Sequence, residues 1–302
     1  MLIMHSWLYC AIYPGAFDRL DSVIQELVAG THGLIETGTE RDRWFFLRFF
    51  DVGGPHVRLR VQGPAGLLDD VYTDLVSRFP DFLRKVQTDP GTPAVSVPGT
   101  PPTNYWEAVD VRLYEPELRR YGGVEGVRVA EGNFMLSSEI ALRAVSEGLD
   151  HLQRQALAAL TMRNALRHCL PGAEEQFWSK YLWYWTGGDG PFAPAGRTAA
   201  ASSAARLEPA IGTAGDALPP HLVQDAERYG GAIRTTASEA IAGGVPLTTW
   251  QWVFHLLHLH NNRLGITPGD EAVLAALLGG TPKEDADASE HRSDGRPAAA
   301  HH

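Results

Sequence analysis

Two periods of apolar and polar positions divide the chain. Residues 5–13, "HSWLYCAIY", are rich in aromatic and branched side chains and stop at Pro14 and Gly15, which predicts a strand and its terminator. Residues 16–30, "AFDRLDSVIQELVAG", repeat apolar positions at helical spacing and close on Gly30. The segments "RWFFLRFF" (43–50) and "HVRLRV" (56–61) flank "DVGGP" and read as an antiparallel hairpin with a loop of several residues. A helix is expected from about Gly66 to Phe79, followed by an irregular proline-rich stretch over 87–104 and a further strand over 105–114, "YWEAVDVRLY". From about Val124 the helical period takes over, through "NFMLSSEIALRAVSEG", "LDHLQRQALAALTMRNALRHCL" and "EEQFWSKYLWYW". In "PLTTWQWVFHLLHLHNNRLG" (246–265), Thr248 and Gln251 fit a capping box and Gly265 sits where a helix would stop. Strands early and helices late predict an α+β fold, with antiparallel strands in the N-terminal half packed with a mainly helical C-terminal half.

Two segments depart from these periods. Residues 187–217 are crowded with Gly, Ala, Pro and Ser and predict a flexible surface loop holding at most one short helix. Beyond about Pro282 almost no apolar residue remains, so a disordered tail over 282–302 is expected after a single domain over 1–281.

Composition narrows the function. The chain has 302 residues and a net charge of -10, which argues against broad electrostatic binding to nucleic acid or anionic lipid. No run of eighteen apolar residues and no signal-peptide pattern is present, so a cytoplasmic protein is expected. The two cysteines, Cys10 and Cys169, read as structural thiols in a reducing compartment. No nucleotide loop, phosphate fingerprint or metal-ligand pattern is visible, which predicts no cofactor.

Within an acidic chain, a local cluster of cations is informative. In "GPHVRLRVQG" (54–63), strand alternation puts His56, Arg58 and Arg60 on one face and Val57, Leu59 and Val61 on the other. The bland alternative is a set of surface ion pairs of little consequence. Arg48, on the facing strand, is expected near this ladder. In "LYEPELRRYGG" (113–123), Pro116 and the glycine pair predict irregular backbone that displays Arg119, Arg120 and Tyr121. His255, His258 and Asn262 share one helical face, with His260 pointing elsewhere. Two histidines without a Cys or carboxylate at the right offset make a poor zinc site. His255 reads as a buried, hydrogen-bonded imidazole, and His258 suits general acid/base work near neutral pH.

Four stretches, "RWFFLRFFDVGGPHVRLRV", "YEPELRRYGG", "NFMLSSEIAL" and "HLLHLHNNRLG", together resemble in order and spacing the C-terminal domain of class I lantibiotic dehydratases, which also occurs free-standing in thiopeptide biosynthesis. The resemblance runs from about Trp7 to about Leu278. It implies that a partner protein esterifies Ser or Thr of a precursor peptide with glutamate from glutamyl-tRNA, and that this chain expels the glutamate to leave dehydroalanine or dehydrobutyrine. The implied partners are the precursor peptide and that glutamylating protein, with no direct contact to nucleic acid or membrane. Carried onto matching positions, the resemblance assigns Arg58, Arg60 and Arg120 to the glutamyl carboxylates and the enolate, and His258 to proton transfer. His56, Arg48, Arg119, Tyr121 and Asn262 are the surrounding substrate-binding candidates. A rival of similar sequence is the pyridine synthase of thiopeptide pathways, which joins two dehydroalanines by a formal [4+2] cycloaddition with loss of the leader peptide. The retained cationic set favours elimination, because the rival has no glutamate to bind. A third reading is a non-catalytic peptide-binding subunit using the aromatics of "FWSKYLWYW", a stripe that at helical spacing is more often core. The elimination reading requires His56, Arg58, Arg60, Arg120 and His258 to surround one cleft.

Overall fold

Four antiparallel strands, β1 (Ser6–Pro14), β2 (Arg43–Asp51), β3 (Gly54–Gly63) and β4 (Glu107–Arg112), pair in the order β2-β3-β1-β4 in the computed structural model. The structure describes residues 6–35, 43–88 and 105–280; the expected tail over 282–302 and positions 89–104 of the proline-rich stretch lie outside these. The hairpin is tighter than the sequence suggests. Asp51 pairs with Gly54, so only Val52 and Gly53 form the turn. Gly54 has a φ of 106°, and a Cβ there would meet the Tyr105 ring at 2.6 Å, so both backbone freedom and space demand glycine.

Between β1 and β2 the chain makes a 3-10 turn (Phe17–Arg19), α1 (Leu20–Ser22), a widened π-helical stretch (Val23–Val28) and α2 (Ala29–Ile35). After β3 comes α3 (Ala65–Thr88), which passes the expected stop at Phe79. Pro80 lies inside it, yet Leu68, Val71, Leu75, Phe79 and Phe82 keep one buried stripe across the proline, and that burial outweighs one lost backbone hydrogen bond. The remaining helices are α4 (Val124–Ser146), α5 (His151–Cys169), α6 (Glu174–Trp185), α7 (Ala193–Asp216), α8 (Pro220–Ala242), α9 (Thr249–Leu264) and α10 (Pro268–Gly279). This is the expected α+β arrangement, with the sheet in the N-terminal region and helices in the C-terminal part.

Helix α7 corrects the expectation of a flexible loop over 187–217. Alanine is the best helix former, and Ala200, Ala204, Leu207 and Ile211 recur at spacings of four, three and four on the side that packs against the core. Pro194 falls in the first turn, where a proline costs no hydrogen bond. In α6 half of the aromatic stripe is core: Phe177, Trp178 and Tyr181 are buried, while Trp183 and Tyr184 are exposed.

The strand register sorts side chains by face. Leu8, Cys10 and Ile12 of β1 oppose Val61, Leu59 and Val57 of β3, which in turn oppose Trp44, Phe46 and Arg48 of β2. This face carries the hydrophobic core. On the other face Tyr9 stands between Arg60 of β3 and Arg112 of β4, and Phe45, Leu47 and Phe49 of β2 stand beside Arg60, Arg58 and His56.

The outer edge of β2 is closed by helix side chains. The Phe46 N–H donates to Ser138 Oγ of α4 (3.1 Å), and the Phe46 carbonyl accepts from Arg263 Nε of α9 (2.8 Å). One turn of pleat further, the Arg48 N–H donates to Asn262 Oδ1 and the Arg48 carbonyl accepts from Asn262 Nδ2, both at 2.9 Å. Helix α9 is itself delimited as its sequence predicts, by the reciprocal Thr248–Gln251 capping box and by Gly265 at φ 81°. Its buried face includes Trp252, Leu256, Leu257, His260 and Arg263.

Two expected outcomes test this packing. Asn262→Leu leaves the Arg48 backbone pair without partners and lowers unfolding stability by about 1–3 kcal/mol, read from urea denaturation. The fully buried His260 holds Ser137 Oγ at 2.9 Å, and burial pushes its imidazole down to about 3 from the ordinary 6.5. The unfolded chain therefore takes up a proton below pH 6.5 that the folded chain refuses, and stability falls as pH drops from 6.5 toward 3, by up to about 1.4 kcal/mol per pH unit. Denaturation at pH 7 and pH 5.5 gives a shallower loss for His260→Phe than for the parent. Because burial also lowers the pKa of His56, the slope is reduced in this variant rather than abolished.

Candidate functional site

The face of the sheet turned away from the core, the segment after β4, and residues of α4 and α9 enclose a cavity of about 320 Å³. Arg58, Arg60 and Arg112 line it from the strands, Glu117 and Tyr121 from the segment after β4, Phe134 from α4 and Leu259 from α9. The volume suits a small organic group.

The two β3 arginines are held by aromatic rings. The Arg58 guanidinium lies 3.2 Å over the Phe49 ring, and Arg58 Nε donates to His56 Nε2 at 3.2 Å. The Arg60 guanidinium sits 4.6 Å from the Tyr9 ring centroid, with Tyr114 and Phe45 beyond it at 5.3 and 5.4 Å. Arg60 is only 9% exposed, and its Nε is buried without a partner. Among the described residues neither guanidinium contacts a carboxylate. Burial lowers the pKa of both, yet a guanidinium stays charged in proteins. Burying Arg60 without a contacting counter-ion is costly, and with half-buried Arg58 beside it the pair is poised for a carboxylate or another planar anion.

The other cations nearby are already matched. Arg112 donates to Asp110 (2.9 Å) and Asp51 (3.2 Å) and also contacts the Tyr13 hydroxyl; the Asp110 contact contributes most to raising its pKa. Arg120 does not line the cavity and pairs with Glu117 at 2.8 Å. Arg119 is exposed and does not line it either. Tyr121 does, with a buried hydroxyl that lacks a partner.

His56 lies beneath the site and is fully buried. It accepts from Arg58 at Nε2, so Nδ1 carries the proton and donates to the Gly54 carbonyl at 3.1 Å. Burial lowers its pKa, and a neutral imidazole in this position buttresses Arg58 from behind. Arg48 does not approach the ladder. It pairs with Val57 in the sheet and so points to the core face, where it meets Asp21 at 2.6 Å and the Arg263 carbonyl at 3.1 Å. Asn262 spends both ends of its amide on the Arg48 backbone.

His258 stands outside the cavity. Its ring packs on Trp185 of α6 at 4.6 Å, and Nδ1 lies 2.8 Å from Glu271 Oε1 of α10. Glu117 of the cavity wall holds Arg120, and burial together with the Arg120 charge pushes His255 down to about 4, one turn before His258 on α9. His255 also packs on Tyr121, 6.1 Å between ring centroids. It is half-buried and, against expectation, has no hydrogen-bond partner among the described residues.

Sequence reasoning passed over Tyr9, Arg112, Tyr114, Glu117 and Glu271. Alternation in "YWEAVDVRLY" assigns Arg112 a face, but which strand it flanks follows only from pairing; nothing local marks Glu271. Among the described residues no group of three or more His, Cys, Asp or Glu is placed to hold a metal, and no helix is long and apolar enough to cross a membrane.

No curated protein sequence matches the chain. Among solved structures, it is similar to the tRNA-dependent lantibiotic dehydratase MibB from Microbispora sp. 107891, with 20% identity and a TM-score of 0.54 over 90% of this chain and 27% of that one. It thus spans about a quarter of the dehydratase's length. It is also similar to the pyridine synthase TbtD from thiomuracin biosynthesis, with 16% identity and a TM-score of 0.62 over 90% of this chain and 96% of that one. TsrL gives 14% identity and 0.59 over 91% and 93%. At such identities these likenesses establish the fold alone. The family described as lantibiotic biosynthesis dehydratase C-term matches residues 7–281 in sequence. Since that match runs from the first strand through the last helix, the chain belongs to the lantibiotic dehydratase C-terminal family.

Proposed function

We propose that this protein eliminates glutamate from O-glutamylated Ser or Thr of a ribosomally made precursor peptide, leaving dehydroalanine or dehydrobutyrine in thiopeptide or lanthipeptide biosynthesis. The observation that carries this reading is the pair of buried Arg60 and half-buried Arg58, lining a cavity of small-molecule size with no carboxylate in contact with either among the described residues. A glutamyl carboxylate supplies the missing charge through two parallel hydrogen bonds to a guanidinium. The substrate would come from a glutamyl-tRNA-dependent glutamylating partner.

In the reaction a base removes the peptide α-proton, the electron pair becomes the Cα=Cβ bond, and the Cβ–O bond breaks to release glutamate as a carboxylate. Negative charge grows first on the enolate and then on the leaving group. Arg58 and Arg60 favour both, since oriented donors aimed at developing charge lower the barrier. His258 is the base in this reading. The single cleft expected from the sequence is not formed, since Arg58 and Arg60 line the cavity while His56, Arg120 and His258 do not; in this reading the adduct spans both places, its free carboxylate lying several bonds from the proton that is lost. The adduct would reach from the arginine cavity past Arg120, which Glu117 of the cavity wall holds, to His258. Arg120, held by Glu117 in the free protein, becomes available if the substrate carboxylate competes for it.

A [4+2] cycloaddition is the alternative, since the chain also shares its fold with the pyridine synthase TbtD. It gives no account of the two unpaired arginines. Incubating the protein separately with an O-glutamyl-serine peptide and with a dehydrated, azole-bearing peptide decides between them by mass spectrometry. The expected result is loss of one glutamate from the first peptide with no leader fragment released. An unchanged first peptide, together with leader loss and ring closure in the second, replaces elimination with cycloaddition. Arg58→Lys keeps a charge but loses the fork, the contact to His56 and the stacking on Phe49. Its elimination rate falls about 100-fold with circular dichroism unchanged, whereas near-parental turnover would remove Arg58 from the mechanism.

A further inference from the structure

We infer that Glu271 is a positioning residue that fixes which nitrogen of His258 carries the proton, so that Nε2 keeps the lone pair a base requires. The inference rests on the elimination reading for what His258 does, and on geometry alone for how it is held. Glu271 of α10 is fully buried, and among the described residues no Lys or Arg contacts it. Three neutral or neutralisable groups converge on it instead. Tyr181 of α6 donates its hydroxyl to Oε2, Asn261 of α9 donates Nδ2 to the same oxygen at 3.1 Å, and His258 Nδ1 lies 2.8 Å from Oε1.

With Tyr181 and Asn261 both donating to Oε2, Oε1 is the acceptor left for the imidazole, and His258 presents its proton to it at Nδ1. Trp185 packs on the ring and limits its rotation. No described residue binds Nε2, and 28% of the His258 side chain remains exposed. The arrangement is that of a carboxylate holding an imidazole in one tautomer while the opposite nitrogen faces the reactant. Three helices, α6, α9 and α10, meet to build it, and α10 contributes nothing to the arginine cavity.

Glu271→Gln tests the inference because the amide has one acceptor and one donor end. Tyr181 and Asn261 both donate toward the Oε2 position, so the glutamine oxygen belongs there and its NH₂ faces Nδ1. His258 then accepts at Nδ1 and carries its proton on Nε2. Side-chain ¹⁵N NMR, recorded where the ring is neutral and assigned by the signal lost in His258→Asn, is expected to show Nδ1–H in the parent and Nε2–H in Glu271→Gln. The kcat for glutamate elimination is expected to fall about ten-thousandfold, with KM unchanged, as for a base held in the wrong tautomer. An Nε2–H tautomer in the parent overturns the inference even if the variant fails to fold. An unchanged tautomer and rate in a folded Glu271→Gln also overturns it. A parent that shows Nδ1–H but leaves the glutamylated peptide untouched instead defeats the elimination reading, while the link between Glu271 and His258 stands.

Discussion

The open edge of strand β2 sets the terms for the rest of the molecule. An edge strand presents backbone donors and acceptors that must find partners when buried. Here they find Ser138, Asn262 and Arg263, side chains that belong to α4 and α9. Helix α9, pinned to the strand by three of these hydrogen bonds, cannot slide along it. The sheet face that carries Arg58 and Arg60 and the helix that carries His258 therefore share one frame, although the sequence separates them by about two hundred positions. Arg48 strengthens the same joint from the core side through Asp21 and the Arg263 carbonyl.

The site is defined as much by which charges are cancelled as by which are present. Arg112, Arg120 and Arg48 each meet a carboxylate, whereas Arg58 and Arg60 meet aromatic rings. A ring face attracts a cation and leaves the guanidinium N–H edges free, which a carboxylate partner would occupy. In a chain of net charge -10, leaving buried Arg60 and half-buried Arg58 without a contacting carboxylate concentrates positive potential at one cavity.

What the sequence made legible follows from the range of the physics involved. The β3 ladder was readable because a strand's period of two fixes relative facing within one segment, and α9 because its caps are local chemistry. The placement of Arg48 was not, since its face depends on the register with Val57. Helix α7 was hidden by counting its glycines and prolines as breakers when Ala200, Ala204, Leu207 and Ile211 carried the helical period. The place of His258 depends on Glu271, Tyr181 and Trp185, brought in by helices whose packing no local pattern encodes.

The helical closure of β2 has a temporal consequence. Arg48 and Asn262 are 214 positions apart, and Phe46 and Arg263 are 217. Synthesis delivers β2 about two hundred residues before α9, so a growing chain carries Trp44 and Phe46 on an unsealed strand throughout that interval. Nucleation at that edge must wait for contacts of high sequence separation, which slows folding and leaves a strand free to pair with another chain. The same joint that makes the finished molecule rigid makes the nascent one dependent on speed of completion or on a chaperone that covers the edge.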